Sequence, residues 1–288
     1  MNTSRKLQTD THSIVLRPIT REDIPRIARY TKLIDTRACD YTLGGIILWA
    51  DYFDYRIAEA NDTLYVNGLR PDDPSRRAFY LPMGPASLPA PEYSFAPVPA
   101  DITDSGISLG DQWSDYLYDI YSFASLSGNA MKKKRNHVNR FHADNPESVF
   151  EPLTAANARL CLHLLSRLGN DGSPSGRAEH IAVARMLLHW TDFAPYLSGA
   201  VLKMHPGDEI AAFTIGEIKG DTLHVHVEKA DHTIPGSGET ITHLFAADRL
   251  RHNPSLTIIN RQDDAGSPAL QAAKLSWHPL RLLPNSLL

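Results

Sequence analysis

Two periods of hydrophobic spacing run through this chain, and the places where one gives way to the other mark out its elements. Residues 13–17 read as a short strand. Residues 20–33 then carry Ile24, Ile27 and Ala28 on one helical face, with Thr20 as N-cap and Asp23 three positions on. Residues 44–55 form an apolar and aromatic run. Residues 63–69 and 77–81 read as a hairpin joined by turn-forming residues at 70–76. Six prolines between Pro82 and Pro99 rule out a long regular element there, leaving Tyr93 and Phe95 to support one short edge strand. Residues 113–120 are read as a strand or a short helix. Residues 127–141 are read as a helix anchored by Ala130, Val138 and Phe141.

The second half is more regular. Residues 155–169 give a leucine-rich helix closed by Gly169, a loop spans 170–176, and a second helix covers 178–193. Residues 197–204, 210–218 and 222–229 predict a three-strand meander with turns at 205–208 and 219–221. A glycine-rich turn leads to a helix at 240–250, a strand at 256–260, a helix at 267–276 and a last apolar run at 280–283. That succession is the order of an N-acetyltransferase-type domain. The expected fold class is α/β, mixed α+β, with one domain over residues 1–149 and another over 150–288.

Composition narrows the setting. A chain of 288 residues is long for one core, which supports two domains. With 42% hydrophobic and 22% charged residues it matches ordinary globular proteins, and no stretch has the roughly 18 consecutive apolar residues of a membrane span. The polar start and two unmatched cysteines, Cys39 and Cys161, predict a soluble cytoplasmic protein. A net charge of −4 limits any RNA contact to a local patch. Nothing in the sequence sets an oligomeric state.

Four segments carry candidate chemistry. Strict alternation over 222–229 would put His224, His226 and Glu228 on one face, where His226 or Glu228 can serve as general base. A solvated sheet face is the plain alternative. A metal held by all three is disfavoured, because ligands at every second residue of one strand lie too flat for tetrahedral coordination. Gly236, Ser237 and Gly238 open a helix in the manner of a phosphate cradle, although Thr233 stands where a coenzyme A loop has a basic or amide residue. Residues 132–142 contain five Lys or Arg and no acid. In that run Lys133, Arg135, Asn136 and Arg140 are candidate phosphate ligands, with an ordinary solvated helix as the alternative. Asn260, Arg261, Asp263 and Asp264 crowd a strand-end loop before the helix bearing Lys274, a pattern suited to carboxylate and ammonium groups, or to an internal ion pair with Asp264 as a helix cap.

Taken together, Cys39-Asp40-Tyr41-Thr42-Leu43-Gly44-Gly45 with Trp49, the run from Leu126-Ser127-Gly128 through Lys133-Lys134-Arg135-Asn136-His137-Val138-Asn139-Arg140-Phe141, His226-Val227-Glu228-Lys229-Ala230, and Asn260-Arg261-Gln262-Asp263-Asp264-Ala265-Gly266 with Ala273-Lys274-Leu275-Ser276 resemble one bacterial family. It is the family of the C-terminal domain of phosphatidylglycerol lysyltransferase, within the acyl-CoA N-acyltransferase superfamily. The resemblance implies two tandem GNAT-like domains and an acyl or aminoacyl transfer onto an amine or hydroxyl. Glu228 or His226 would act as base, and Arg261 and Asp263 would orient the donor. The family implies an aminoacyl-tRNA donor with a local tRNA contact; the superfamily implies coenzyme A. An acyl-CoA-dependent N-acyltransferase and a non-catalytic module binding a small ligand are the alternatives on the same fold. Gln262, Gln271 and Trp277 depart from the acid, base and tyrosine of the family pattern.

Overall fold

The computed structural model describes residues 7–9, 12–85, 94–103, 105–205, 207 and 209–288. The strand expected at Tyr93 and positions 206 and 208 of the expected turn lie outside these residues. The fold is mixed α/β, and it divides into two compact units. One comprises Met1–Asp115, Asp263–Ser267 and Leu283–Leu288; the other comprises Tyr116–Gln262 and Pro268–Leu282. A boundary near Phe150 therefore falls inside the second unit. The reason is the strand Asp115–Asp119, which lies in a seven-stranded sheet between Ile258–Asn260 and Arg281–Leu283.

In the first unit the expected helix over 20–33 is divided. A 3-10 turn, Arg21–Asp23, leads into the α-helix Ile24–Tyr30, and a second 3-10 turn, Thr31–Leu33, ends it. Pro25 stands near the start of that helix, where its missing N–H costs nothing. The aromatic run supplies the helix Leu43–Trp49, capped by the Thr42 hydroxyl, which accepts from the Gly45 N–H at 3.0 Å. Strands Thr63–Leu69 and Arg77–Phe79 pair as expected, with Leu69 opposite Arg77. A further strand, Arg56–Ala60, pairs with Thr63–Leu69 across Asn61 and Asp62, both at positive φ. That two-residue connection has the left-handed backbone of a tight hairpin.

The second unit is built on the seven-stranded sheet. Its order is Val149–Pro152, Ser198–Lys203, Ile210–Lys219, Thr222–Ala230, Ile258–Asn260, Asp115–Asp119 and Arg281–Leu283. The helix Ala155–Leu168 starts at a capping box of Thr154 and Asn157 and ends at Gly169, whose φ of +64° suits glycine. Ser173 caps the next helix, Pro174–Leu188, four residues earlier than hydrophobic spacing suggests. The three central strands form the antiparallel meander. Thr222–Ala230 then crosses over through the helix Ser237–His252 to pair in parallel with Ile258–Asn260. Ile241 and Phe245 of that helix pack with Leu223, Val225, Tyr118, Phe123, Met131 and Phe141 into one buried cluster. Among the described residues no helix is long and apolar enough to cross a membrane.

Candidate functional site

The parallel pairing of Thr222–Ala230 with Ile258–Asn260 lasts for three residue pairs and stops at His224 opposite Asn260. Beyond that point no further pair joins the two strands, and the carboxyl ends of parallel strands are the usual ligand position in such sheets. On its other edge Thr222–Ala230 carries a β-bulge: Ile215 pairs with Val227 and Gly216 with Val225, which leaves His226 as the extra residue. The bulge inverts the alternation. Leu223 and Val225 join the core under helix Ser237–His252, and after the bulge Ala230 returns to that same core. Glu228, two residues before Ala230, shares its face and not that of His224. The expected single face of His224, His226 and Glu228 is therefore split across the sheet.

On the core side Arg261 Nη2 donates to Glu228 Oε1 at 2.8 Å, and both side chains are largely buried. The guanidinium carbon lies 5.6 Å from the Trp277 ring centre and 6.0 Å from that of Phe123, and those two rings stack at 4.4 Å. Lys134 Nζ sits 4.6 Å from the Trp277 centroid. Burial lowers its pKa, an effect opposed by Glu239, 3.5 Å away. Tyr118 reaches the Lys274 carbonyl with its hydroxyl at 3.0 Å. Burial first, and Glu228 among its neighbours, push the Tyr118 phenol up despite the nearby Arg261 charge. The result is a carboxylate–guanidinium pair held against an aromatic wall.

On the opposite side His226 Nδ1 accepts from the Gln262 amide nitrogen at 3.1 Å, so the ring proton belongs on Nε2. Nε2 points to Glu217 Oε2 at 3.6 Å, and both side chains are almost fully enclosed. Glu217 pairs in register with His224, which is completely buried; burial, then the neighbouring His226, holds its pKa well below the ordinary imidazole value. Neither His224 ring nitrogen has a hydrogen-bond partner. Glu217 carries no motif of its own, and Gln262 stands in the Asn260–Gly266 block where the family pattern has an acid. The only sequence signal of Glu217 is a polar residue in an otherwise apolar strand.

The remaining expected residues separate. Asn260 is buried and accepts from the Gln262 N–H at 2.7 Å, shaping the loop from inside. The Lys274 ammonium donates to the Arg261 carbonyl and, at 3.1 Å, to that of Gln262, so it staples the loop that presents Arg261. Arg135 turns inward to the Leu126 and Gly128 carbonyls, and Arg140 pairs with Asp144 at 3.3 Å. Lys133 and Asn136 face solvent on helix Lys132–Asp144. Gly236 has φ +84°, and a Cβ there would stand 2.4 Å from the His137 carbonyl oxygen. Ser237 donates to the Asp231 carbonyl at 2.9 Å, while Gly238 would admit a methyl. Of these three, Gly236 lets its helix approach the His137 backbone of helix Lys132–Asp144, and Ser237 ties the turn before the helix.

Asp263 and Asp264 belong to the first unit. Each accepts a loop N–H, Asp263 from Ala265 and Asp264 from Gly266, both at 2.9 Å. Asp115 accepts from the Cys39 N–H at 2.7 Å and from its thiol at 3.0 Å. Asp40 keeps part of its surface open, yet burial first, then Asp115 and Asp263, push its carboxyl well above the usual range. Tyr55 and Tyr80 share a 2.6 Å hydroxyl contact beside it. Among the described residues no group of three or more His, Cys, Asp or Glu is placed to hold a metal.

A paired carboxylate and arginine at the mouth of splayed parallel strands, fed by a helix crossover, occur here together with a sequence match. The profile described as "Phosphatidylglycerol lysyltransferase, C-terminal" matches residues 100–288. The chain belongs to that family. Solved structures share the fold of this phosphatidylglycerol lysyltransferase C-terminal family member at low identity. The C-terminal domain of a putative lysylphosphatidylglycerol synthetase from Agrobacterium fabrum is 15% identical, with a TM-score of 0.57 over 92% of this chain and 91% of that one. A conserved protein of unknown function from Bacteroides thetaiotaomicron is nearer, at 26% identity and a TM-score of 0.78, covering 95% of this chain and 98% of its own. An uncharacterised protein of Mycoplasmoides gallisepticum is 26% identical over 175 residues, which is 58% of this chain and 53% of that relative's length.

Proposed function

We propose that this member of the phosphatidylglycerol lysyltransferase C-terminal family is an aminoacyl or acyl transferase of two tandem GNAT-like domains, acting on an amine or hydroxyl acceptor. The observation that carries the reading is His226. It is singled out by the bulge, its enclosed ring accepts the Gln262 amide at Nδ1, and it has Glu217 behind Nε2. A donor that takes over the Gln262 amide frees Nδ1 to accept the proton of the attacking nucleophile. The nucleophile's nitrogen or oxygen then bonds to the donor carbonyl, the donor's carbon–oxygen or carbon–sulfur bond breaks, and the departing atom takes the proton back. Glu217 stabilises the imidazolium in between, and its 3.6 Å approach is of the kind that tightens when substrate is bound. Arg261, fixed by Glu228 on the other face of the sheet, would reach the donor's polar end only around the carboxyl ends of the two strands. Exposed Lys133 and Asn136 offer a local contact for the phosphates of an aminoacyl-tRNA.

The test is direct. The purified protein is incubated with aminoacylated total tRNA, and separately with acetyl-coenzyme A, in the presence of amine and hydroxyl acceptors, and the products are read by mass spectrometry. Transfer is expected, and His226→Gln should slow it by about 10²–10⁴-fold with binding retained. If no acceptor gains a group from either donor, or if His226→Gln transfers as fast as the native chain, the reading fails.

A further inference from the structure

Helix Ser237–His252 follows the carboxyl end of Thr222–Ala230 with its first backbone N–H groups, and such an end attracts anions. It is already occupied. Glu239, the third residue of the helix, turns its carboxylate back into the first turn, where His137 Nδ1 lies at 3.1 Å and Lys134 Nζ at 3.5 Å from Oε1. An acid in a first helical turn is ordinary chemistry, but this one is largely buried and draws in two basic side chains from a different helix. Burial, the largest influence, pushes the Glu239 carboxyl up, and it is outweighed by its own backbone bond, Lys134 and His137, which hold it below the usual range. The glycine gap beside it is filled as well, since the His137 carbonyl occupies the space a Gly236 side chain would need.

We propose that Glu239 determines donor specificity by acting as a built-in anion that closes this helix end against diphosphate-bearing donors such as acyl-coenzyme A. The proposal rests on the transferase reading and restricts its donor. A diphosphate brought to the same N–H groups would meet the Glu239 carboxylate in its way, with Lys134 and His137 already engaged by that carboxylate. A donor whose charges lie elsewhere, on the exposed side of helix Lys132–Asp144, meets no such barrier.

The measurement is equilibrium binding of coenzyme A, and of inorganic pyrophosphate as the smaller probe, to the intact native chain and to Glu239→Gln and Glu239→Ala. The native protein should bind neither at millimolar concentration. Glu239→Gln, nearly isosteric and leaving Lys134 and His137 in place, should bind at least one of them at least about tenfold more tightly, because removing a juxtaposed like charge is worth that much or more. Lys134→Met in the Glu239→Gln background should abolish the gain. Glu239→Ala covers the case in which the glutamine reproduces the closure by hydrogen bonding, and a melting curve confirms that each variant is folded. Native binding of coenzyme A, or no gain in either folded variant, overturns the proposal. The transferase reading stands apart from that result, because it is decided by acceptor labelling and by His226→Gln.

Discussion

Asp23 is 1% exposed and takes both guanidinium nitrogens of Arg17, at 2.7 and 2.6 Å, as well as the Thr20 N–H and hydroxyl, each at 3.0 Å. The Arg17 bonds, chief among these, hold its carboxyl well below the usual range against the opposing effect of burial. A lowered folded pKa gives stability that is complete above the ordinary aspartate value of about 3.9 and is lost as pH falls through it towards the folded value. Asp40 has the opposite sign: burial raises its pKa, so its contribution is complete below the ordinary value and is lost as pH rises above it. Urea unfolding across pH should therefore show Asp23→Asn less stable by about 2 kcal/mol at pH 7, with the difference shrinking in acid. Asp40→Asn should gain stability at pH 7 and lose that advantage near pH 3. Neither sign is legible in sequence, where both are single aspartates beside short helices.

The adjoining glycines 236 and 238 were equivalent on sequence grounds, and the backbone separates them. Gly236→Ala puts a methyl onto a main-chain oxygen at a positive φ, and should cost about 2 kcal/mol or more in thermal or denaturant unfolding. Gly238→Ala lies inside the helix with only the Ala230 methyl at 3.6 Å, and should be neutral or stabilising by about 0.5–1 kcal/mol. Most helices and strands of the second unit were legible, because their apolar spacing and the closing Gly169 agree, whereas the Ser173 cap set the start of Pro174–Leu188 four residues before the expected one. What escaped was non-local. The bulge at His226 depends on pairing with Ile210–Lys219, and the roles of Lys134, Glu217, Glu239 and Lys274 depend on partners far along the chain. Arg56–Ala60 was missed because its core-facing residues are only Ile57 and Ala58. Lys274→Met removes the staple on the 261–262 loop. It should accelerate hydrogen exchange there while leaving helix Ala155–Leu168 unchanged.

At the level of the whole molecule, the second unit begins with a strand that sequence reading assigned to the first domain. A fragment of residues 150–288 lacks Asp115–Asp119, and Ile258–Asn260 then exposes an unpaired edge where Tyr118 and Leu117 should pair. Such a fragment should aggregate or remain unfolded by circular dichroism, whereas the full chain melts cooperatively. The net charge of −4 is a second global constraint, since any tRNA must be engaged through a few cations. If Lys133 meets a phosphate, Lys133→Glu should weaken binding similarly for all tRNAs and reduce the magnitude of the log–log salt slope by about 1.

The bulge at His226 also acts as a parity switch. A β-strand is a two-sided ledger in which odd and even positions never meet, and one supernumerary residue exchanges the two columns from that point onward. Pairing the strand here without the bulge, every residue kept, would leave each side chain chemically intact, yet Glu228 would leave Arg261 and face outward and Lys229 would be driven into the core; deleting His226 together with the bulge would return Glu228 to its own face. A relative with the same spacing but no bulge would therefore keep the motif while presenting its acid to the other face, whereas one lacking both the extra residue and the bulge would keep the acid where it is.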